Sequence, residues 1–238
     1  LGWRFPWGFP WGATDDNTVL KDTIVLDEFS SMEMDLRVMD LTIERGNSYE
    51  LSYECNKKIY VPTSGVVDDV LVVKQRHDRL GFNMKNAKCK MILTVPEGIK
   101  FKDIQISNDT GDVKINDIEC NKLTLNIDTG NLKIARCTFT NTDIDNDTGD
   151  IKLEACNLGD CNIDNDTGDV ELTDCGFGSP GGDMNITNDT GDIVVEGCGD
   201  LYLYETDFST DMGEITVNRM TRKGKHYSEE AILESNLD

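Results

Sequence analysis

The phrase NDTGD, first met in IQISNDTGDVKIND, returns down the chain as IDTGN at 127–131, as NDTGD at 146–150, 165–169 and 188–192, and in worn form as TDMGE at 210–214. Counted from its first aspartate the copies stand at Asp109, Asp128, Asp147, Asp166, Asp189 and Asp211, spaced by 19, 19, 19, 23 and 22 residues. A period near 20 residues is the mark of a solenoid, in which each repeat is one turn that buries its apolar face only against its neighbours. Whatever the chain does, it must do it with such a stack.

Between the copies, apolar residues alternate with polar ones: Val113 and Ile115, Leu132 and Ile134, Ile151 and Leu153, Val170 and Leu172, Ile193 and Val195, Ile215 and Val217. Their partners Lys114, Lys133, Lys152, Glu171 and Thr216 point the other way, as period two requires of a strand with one buried face. Ile104 and Ile106, Leu123 and Leu125, Ile144, Ile163, Ile186, and Leu201 and Leu203 define a second strand before each copy. A helical repeat would need apolar steps of three and four. The reading is all-β: a single-stranded, right-handed parallel β-helix of about 19–23 residues per rung, successive rungs about 4.8 Å apart.

In such a stack the motif reads as a corner. Gly111, Gly130, Gly149, Gly168, Gly191 and Gly213 provide a positive φ without steric cost, and the flanking Asp and Asn fold onto nearby amides as Asx turns. Thr110, Thr129, Thr148, Thr167 and Thr190 stack as a ladder. The letters DTG also open the active site of aspartic proteases, but that chemistry needs two copies facing one another across a cleft. Repeated in every rung, the aspartate is structural, and no catalytic residue is assigned.

Stacked carboxylates repel by about 0.8 kcal/mol per neighbouring pair in water before screening. Asp109, Asp112, Asp128, Asp147, Asp150, Asp166, Asp169, Asp189 and Asp192 would line an acidic ledge with oxygen ligands of the kind calcium prefers. Asp147, Asp150, Asp166, Asp169, Asp189 and Asp192 are its calcium candidates, although the paired-glycine nonapeptide of calcium-binding solenoids is missing. No other cofactor is expected.

Cysteines follow the period too. Cys137, Cys156, Cys175 and Cys198 each lie nine residues after a motif aspartate, where the first turn has Ile118; Cys120 joins Phe139, Leu158 and Phe177, and Cys161 joins Leu123 and Thr142. The simplest reading is a buried column in which a thiol stands in for isoleucine. Rung spacing brings the Cα atoms within disulfide range, but parallel Cβ vectors suit that bond badly. A linear column does not surround a tetrahedral zinc ion.

Residues 15–100 keep the strand grammar without the motif, in TIVLDE, MEMDLRVMDLTIERG, YELSYEC, DVLVVKQRH and CKMILTVPEG, and read as irregular coils capping one end of the regular solenoid, 101–218. Residues 219–238 read as a closing cap or tail whose Arg219, Arg222, Lys223 and Lys225 could meet an acidic partner. Residues 1–14 hold Trp3, Trp7 and Trp11, all the tryptophans of the chain, with Phe5, Phe9, Pro6 and Pro10. They read either as a juxtamembrane stalk after a removed transmembrane anchor or as an arm that packs on the body or a neighbour. The first residue is Leu1, not Met, consistent with a removed upstream segment.

A net charge of −22 over 238 residues repels phosphate and excludes nucleic acid as a partner. Of the two histidines, His77 and His226, neither lies in the repeat. Phosphate loop and nucleophile elbow are both lacking.

The segment DLRVMDLTIERGNSYELSYEC, the entry CKMILTVPEGIKFKDIQISNDTGDVKI and the succession of TGD turns together resemble the putative-adhesin family of bacterial cell-surface domains, over about residues 20–218. The resemblance implies a parallel β-solenoid, exposed outside the cell and often following a transmembrane helix, with no catalytic residues to carry over. The expected function is therefore a non-enzymatic extracytoplasmic module, an adhesin or an envelope scaffold or sensor, membrane-anchored in its full-length form and taking a surface glycan or protein as ligand. Two alternatives stand beside it. One is a β-helix enzyme acting on polysaccharide, against which the sameness of the carboxylates in every rung and the shortness of the largest insertion, 176–183, both argue. The other is a structural protein that self-assembles into oligomers.

Overall fold

Residues 19–76, 86–178, 182–222 and 226–229 are described by the computed structural model. The aromatic segment 1–14, His77 and most of the 219–238 tail lie outside them. The first strands are β1 (Leu20–Val25), β2 (Ser31–Leu36), β3 (Asp40–Gly46), β4 (Glu50–Cys55), β5 (Thr63–Val67), β6 (Val70–Lys74) and β7 (Cys89–Pro96). The repeats then alternate a longer strand before the motif with a shorter one after it: β8 (Lys100–Thr110) and β9 (Val113–Asn116), β10 (Glu119–Thr129) and β11 (Leu132–Ala135), β12 (Thr138–Thr148) and β13 (Ile151–Glu154). The series continues with β14 (Asp160–Thr167) and β15 (Val170–Thr173), β16 (Asp183–Thr190) and β17 (Ile193–Glu196), β18 (Glu205–Met212) and β19 (Ile215–Val217). Two short strands follow, β20 (Met220–Arg222) and β21 (His226–Glu229).

The longer strands stack into a ten-stranded sheet and the shorter ones into an eleven-stranded sheet, so each rung contributes one strand to each and the core lies between. Pairing is parallel throughout the repeats, with Leu125 level with Ile106 and Ile144, and Ile134 level with Ile115 and Leu153. The alternating residues named from sequence are the buried ones: Ile115, Ile134, Leu153, Leu172 and Val195 have no exposed surface. The chain is a parallel β-solenoid, as its period requires.

Two columns of corners join the sheets. At the second, Asp117, Arg136, Ala155, Asp174, Gly197 and Asn218 all take left-handed backbone, with φ between 46° and 67°. Only one of the six is glycine, and Arg136 closes a fork of two 2.7 Å hydrogen bonds onto the Asp117 carboxylate one rung away.

The early strands do not stack in chain order. β2 and β3 form the rung against which β8 and β9 pair, and β6 and β7 pair on the other side of that same rung, so the chain returns over its first turn before the repeats begin. Beyond β6 and β7 the strands run antiparallel: β4 on β7, β1 on β4, and β5 on β6. Cys55 and Cys89, level across β4 and β7, form a disulfide that no repeat spacing announces. At the far end β20 and β21 turn back antiparallel onto β19 and β18. Antiparallel hairpin strands thus occupy both ends of the stack, where a parallel rung would present an open template.

Candidate functional site

The motif contributes three side chains to three different environments. Its leading asparagine points inward: Asn108, Asn146, Asn165 and Asn188 are wholly buried. Asn146 Nδ2 donates to Asn165 Oδ1 at 2.7 Å, and Asn165 Nδ2 to Asn188 Oδ1 at 3.0 Å. The same nitrogens donate to the corner carbonyls of Gly149 and Gly168. Asn165 and Asn188 therefore each accept from the asparagine of the rung before them. That direction explains why the Oδ1 atoms of Asn108 and Asn146 have no partner: the preceding rungs hold Leu36 and Ile127 at this level.

The residue after the glycine forms a second ladder, along the outside of the corner. The amide of Asp112 donates to Asp40 Oδ1, Asn131 to Asp112, Asp150 to Asn131, Asp169 to Asp150, Asp192 to Asp169 and Glu214 to Asp192, at 2.9 to 3.2 Å. Sequence reasoning expected these side chains to cap their own turn. They cap the next one, because in a parallel stack the equivalent amide of the following rung lies one strand spacing away. The glycines are fixed by the same closeness. A Cβ on Gly130, Gly149, Gly168, Gly191 or Gly213 would meet the carbonyl oxygen of the glycine one rung earlier at 1.9 to 2.1 Å. Gly130 and Gly213 do not even take a positive φ, so space rather than backbone conformation is what all five share.

The aspartate of DTG is the one left for solvent. Asp128, Asp147, Asp166 and Asp189 are exposed, while Asp109 is half-buried and lies 3.3 Å from Arg37. They border the outer face of the ten-stranded sheet. On that face Gln105, Thr124, Asp143, Asn162, Asn185 and Asp207 stand in one register column, and Ser107, Asn126, Asp145, Asp164, Thr187 and Ser209 in the next. The calcium candidates are thereby divided: Asp147, Asp166 and Asp189 edge this face, whereas Asp150, Asp169 and Asp192 lie past the corner with an oxygen committed to the amide ladder. Among the described residues, no three His, Cys, Asp or Glu side chains converge as a metal cage.

Asp143, Asp145 and Asp164, which the ledge read from sequence omits, make the face most acidic at its middle. Their signal was present as the outward positions of TDIDND and NIDND. Partial burial, then the charges of Asp164, Asp147, Asp166 and Asp143, push the Asp145 carboxyl above its ordinary value. Burial, then Asp166 and Asp189, does the same to Asp164. The eleven-stranded sheet carries compensated charge instead, with Lys152 on Glu171 at 2.8 Å and Lys133 on Glu154 at 3.8 Å.

A raised folded-state carboxyl contributes stability below its unfolded value near 3.8 and loses it as pH rises through the folded value. At neutral pH, Asp145→Asn with Asp164→Asn should therefore stabilise the fold by roughly 0.2–0.5 kcal/mol per site in low salt, an advantage that shrinks with added salt and with acidification toward pH 4. Urea unfolding at pH 7 and pH 4, each in low and in high salt, reads both dependences. A double variant less stable than the parent at pH 7 would mean that the face is not under charge strain.

The family model described as Toastrack DUF4097 matches residues 29–237. Among solved structures, the chain is similar to one described as a "putative cell adhesion protein" from Clostridium sporogenes, at 10% identity and TM-score 0.48, covering 84% of this chain and 99% of that one. It is also similar to a "putative adhesin" from Bacteroides fragilis, at 15% identity and TM-score 0.46, with 84% and 96% covered. A "putative lipid binding protein" from Parabacteroides distasonis follows at 12% identity and TM-score 0.32, with 85% and 95% covered. No curated protein matches the chain.

Proposed function

The chain belongs to the Toastrack DUF4097 family, and from that premise we propose that it is a non-enzymatic extracytoplasmic binding module, a rigid scaffold whose ligand-presenting surface is the outer face of the ten-stranded sheet. The observation that carries this is the in-register array of Asp, Asn, Thr and Ser on an open sheet, most acidic at Asp143, Asp145, Asp147, Asp164 and Asp166. Side chains at a fixed spacing on a stiff support bind without paying to order themselves. Their chemistry suits a surface glycan or a protein that offers hydroxyls and cationic groups.

Against an enzyme stands the sameness of the carboxylates. Acid–base pairs work by being held in different environments, and these repeat one environment from rung to rung on an unwalled face. The disulfide between Cys55 and Cys89 supports an oxidising location outside the cytoplasm. Among the described residues no helix is long and apolar enough to cross a membrane.

A glycan and matrix-protein array tests the reading. Selective binding by the parent, lost in a variant carrying Asp145→Lys and Asp164→Lys but kept in one carrying Lys133→Glu on the opposite sheet, is the expected result. Binding unaffected by either change would move the site off this face, and turnover of an arrayed glycan would overturn the non-enzymatic assignment.

A further inference from the structure

Four cysteines run in a single column along the second corner, at Cys137, Cys156, Cys175 and Cys198, and the 23-residue step before the last leaves the column unbroken. All four are free and between 1% and 4% exposed. Each follows the left-handed corner residue of its rung: Arg136, Ala155, Asp174 and Gly197, all exposed. The sulfurs therefore lie one residue beneath the surface, and opening a single corner reaches them.

Every sulfur is addressed by the rung before it. The amide of Ile118 donates to Cys137 Sγ at 3.3 Å, and that of Cys175 to Cys198 Sγ at 3.4 Å. The amides of Cys137 and Cys156 hydrogen-bond Cys156 and Cys175 in the same way. Each thiol in turn donates to a backbone carbonyl two residues earlier, Cys137 to Ala135 and Cys156 to Glu154 at 3.3 Å, Cys175 to Thr173 at 3.4 Å and Cys198 to Glu196 at 3.3 Å. Of the two thiols outside the column, burial pushes Cys120 up to about 11 and Cys161 to about 12.

A column of sulfurs cannot surround an ion that wants four ligands, and it suits one that wants two in line. Taking about 2.3 Å for a metal–thiolate bond, a linear pair separates its sulfurs by about 4.6 Å. Parallel rungs lie about 4.8 Å apart. The geometry points to two linear, two-coordinate sites for a soft monovalent cation of the copper(I) and silver(I) class, one between Cys137 and Cys156 and one between Cys175 and Cys198. Pairing in this way uses all four sulfurs and leaves none bridging. At each site two S–H bonds break, two S–metal bonds form and two protons pass to solvent, leaving one net negative charge that the amides aimed at the sulfurs help to hold. No oxidant or reductant takes part. The assignment is independent of the ligand-presenting face, which lies on the ten-stranded sheet.

Silver(I) is the probe of choice, because it needs no reductant and leaves the Cys55–Cys89 disulfide intact. Titrating the full chain with silver nitrate in chloride-free buffer, followed by native mass spectrometry, should give two ions held per chain and two protons released per ion. Cys156→Ala should reduce the capacity to one, Cys175→Ala likewise, and the double variant to zero. Cys120→Ala with Cys161→Ala should leave it at two, and far-ultraviolet circular dichroism checks that each variant is folded. Should Cys156→Ala unfold, Cys156→Ile, the residue the first turn carries at Ile118, replaces it. A capacity unchanged by the column variants, no retention of silver, or loss of hydrogen pairs as cross-rung disulfides form would each overturn the assignment.

Discussion

Gly149→Ala should cost the fold about 4 kcal/mol or more, a large share of the roughly 5–15 kcal/mol that holds a typical domain together. The added Cβ would lie 2.0 Å from the Gly130 carbonyl oxygen, and its obstacle is backbone. That carbonyl belongs to a rung bonded on both sides, since the Gly111 amide donates to the Thr129 carbonyl and the Gly130 amide to the Thr148 carbonyl. Relief requires spreading the two rungs, which strains hydrogen bonds in both sheets. Gly176→Ala is the matched control: it sits in the same stack without a positive φ, nothing lies within 4 Å of its added Cβ, and it should change stability by less than about 0.5 kcal/mol. Urea unfolding of the two variants decides the matter. A Gly149→Ala protein within about 1 kcal/mol of the parent would show that rung spacing at this corner is soft.

The second large effect lies one step inside, in the asparagine column. Asn165→Leu removes the acceptor of Asn146 and the donor to Asn188, both buried, and a donor to the part-buried Gly168 carbonyl. Stranded buried polar atoms cost about 1–3 kcal/mol each, so a loss of about 3 kcal/mol is expected after allowing for the apolar surface gained. Asn146→Leu should cost roughly 1 kcal/mol less, because Asn146 Oδ1 is already without a donor beneath Ile127 and its removal strands one partner fewer. Equal losses for the two variants would contradict the directional ladder.

What repeats was legible in the sequence; what happens once was not. Val113, Ile134, Leu153 and Leu172 could be placed in the core because the same alternation recurs at a constant offset, and the column of Cys137, Cys156, Cys175 and Cys198 followed from counting. Alternation carries no information on whether a strand pairs parallel or antiparallel, so the reversal of β4 on β7, and with it the Cys55–Cys89 disulfide, had no signal of its own. The aspartates were visible, but their division was not. Asp143, Asp145 and Asp164 belong to a face because rungs align at 19 residues, while Asp150, Asp169 and Asp192 are taken up by amides of the following rung.

The doubled-back start of the chain makes the two ends of the solenoid unequal in what they can tolerate over evolutionary time. From β8 onward each rung needs only a predecessor of the same shape, so a duplication or loss of one 19-residue unit between β9 and β18 leaves every remaining interface chemically familiar. The rung of β2 and β3 has no such freedom. It is clasped on one face by strands that precede the repeats and on the other by the first repeat itself, so removing it would break both contacts at once. Length can therefore drift at the carboxyl side of such proteins while the amino side stays constant, and the span of the acidic face becomes a quantity that selection can adjust in steps of a single rung.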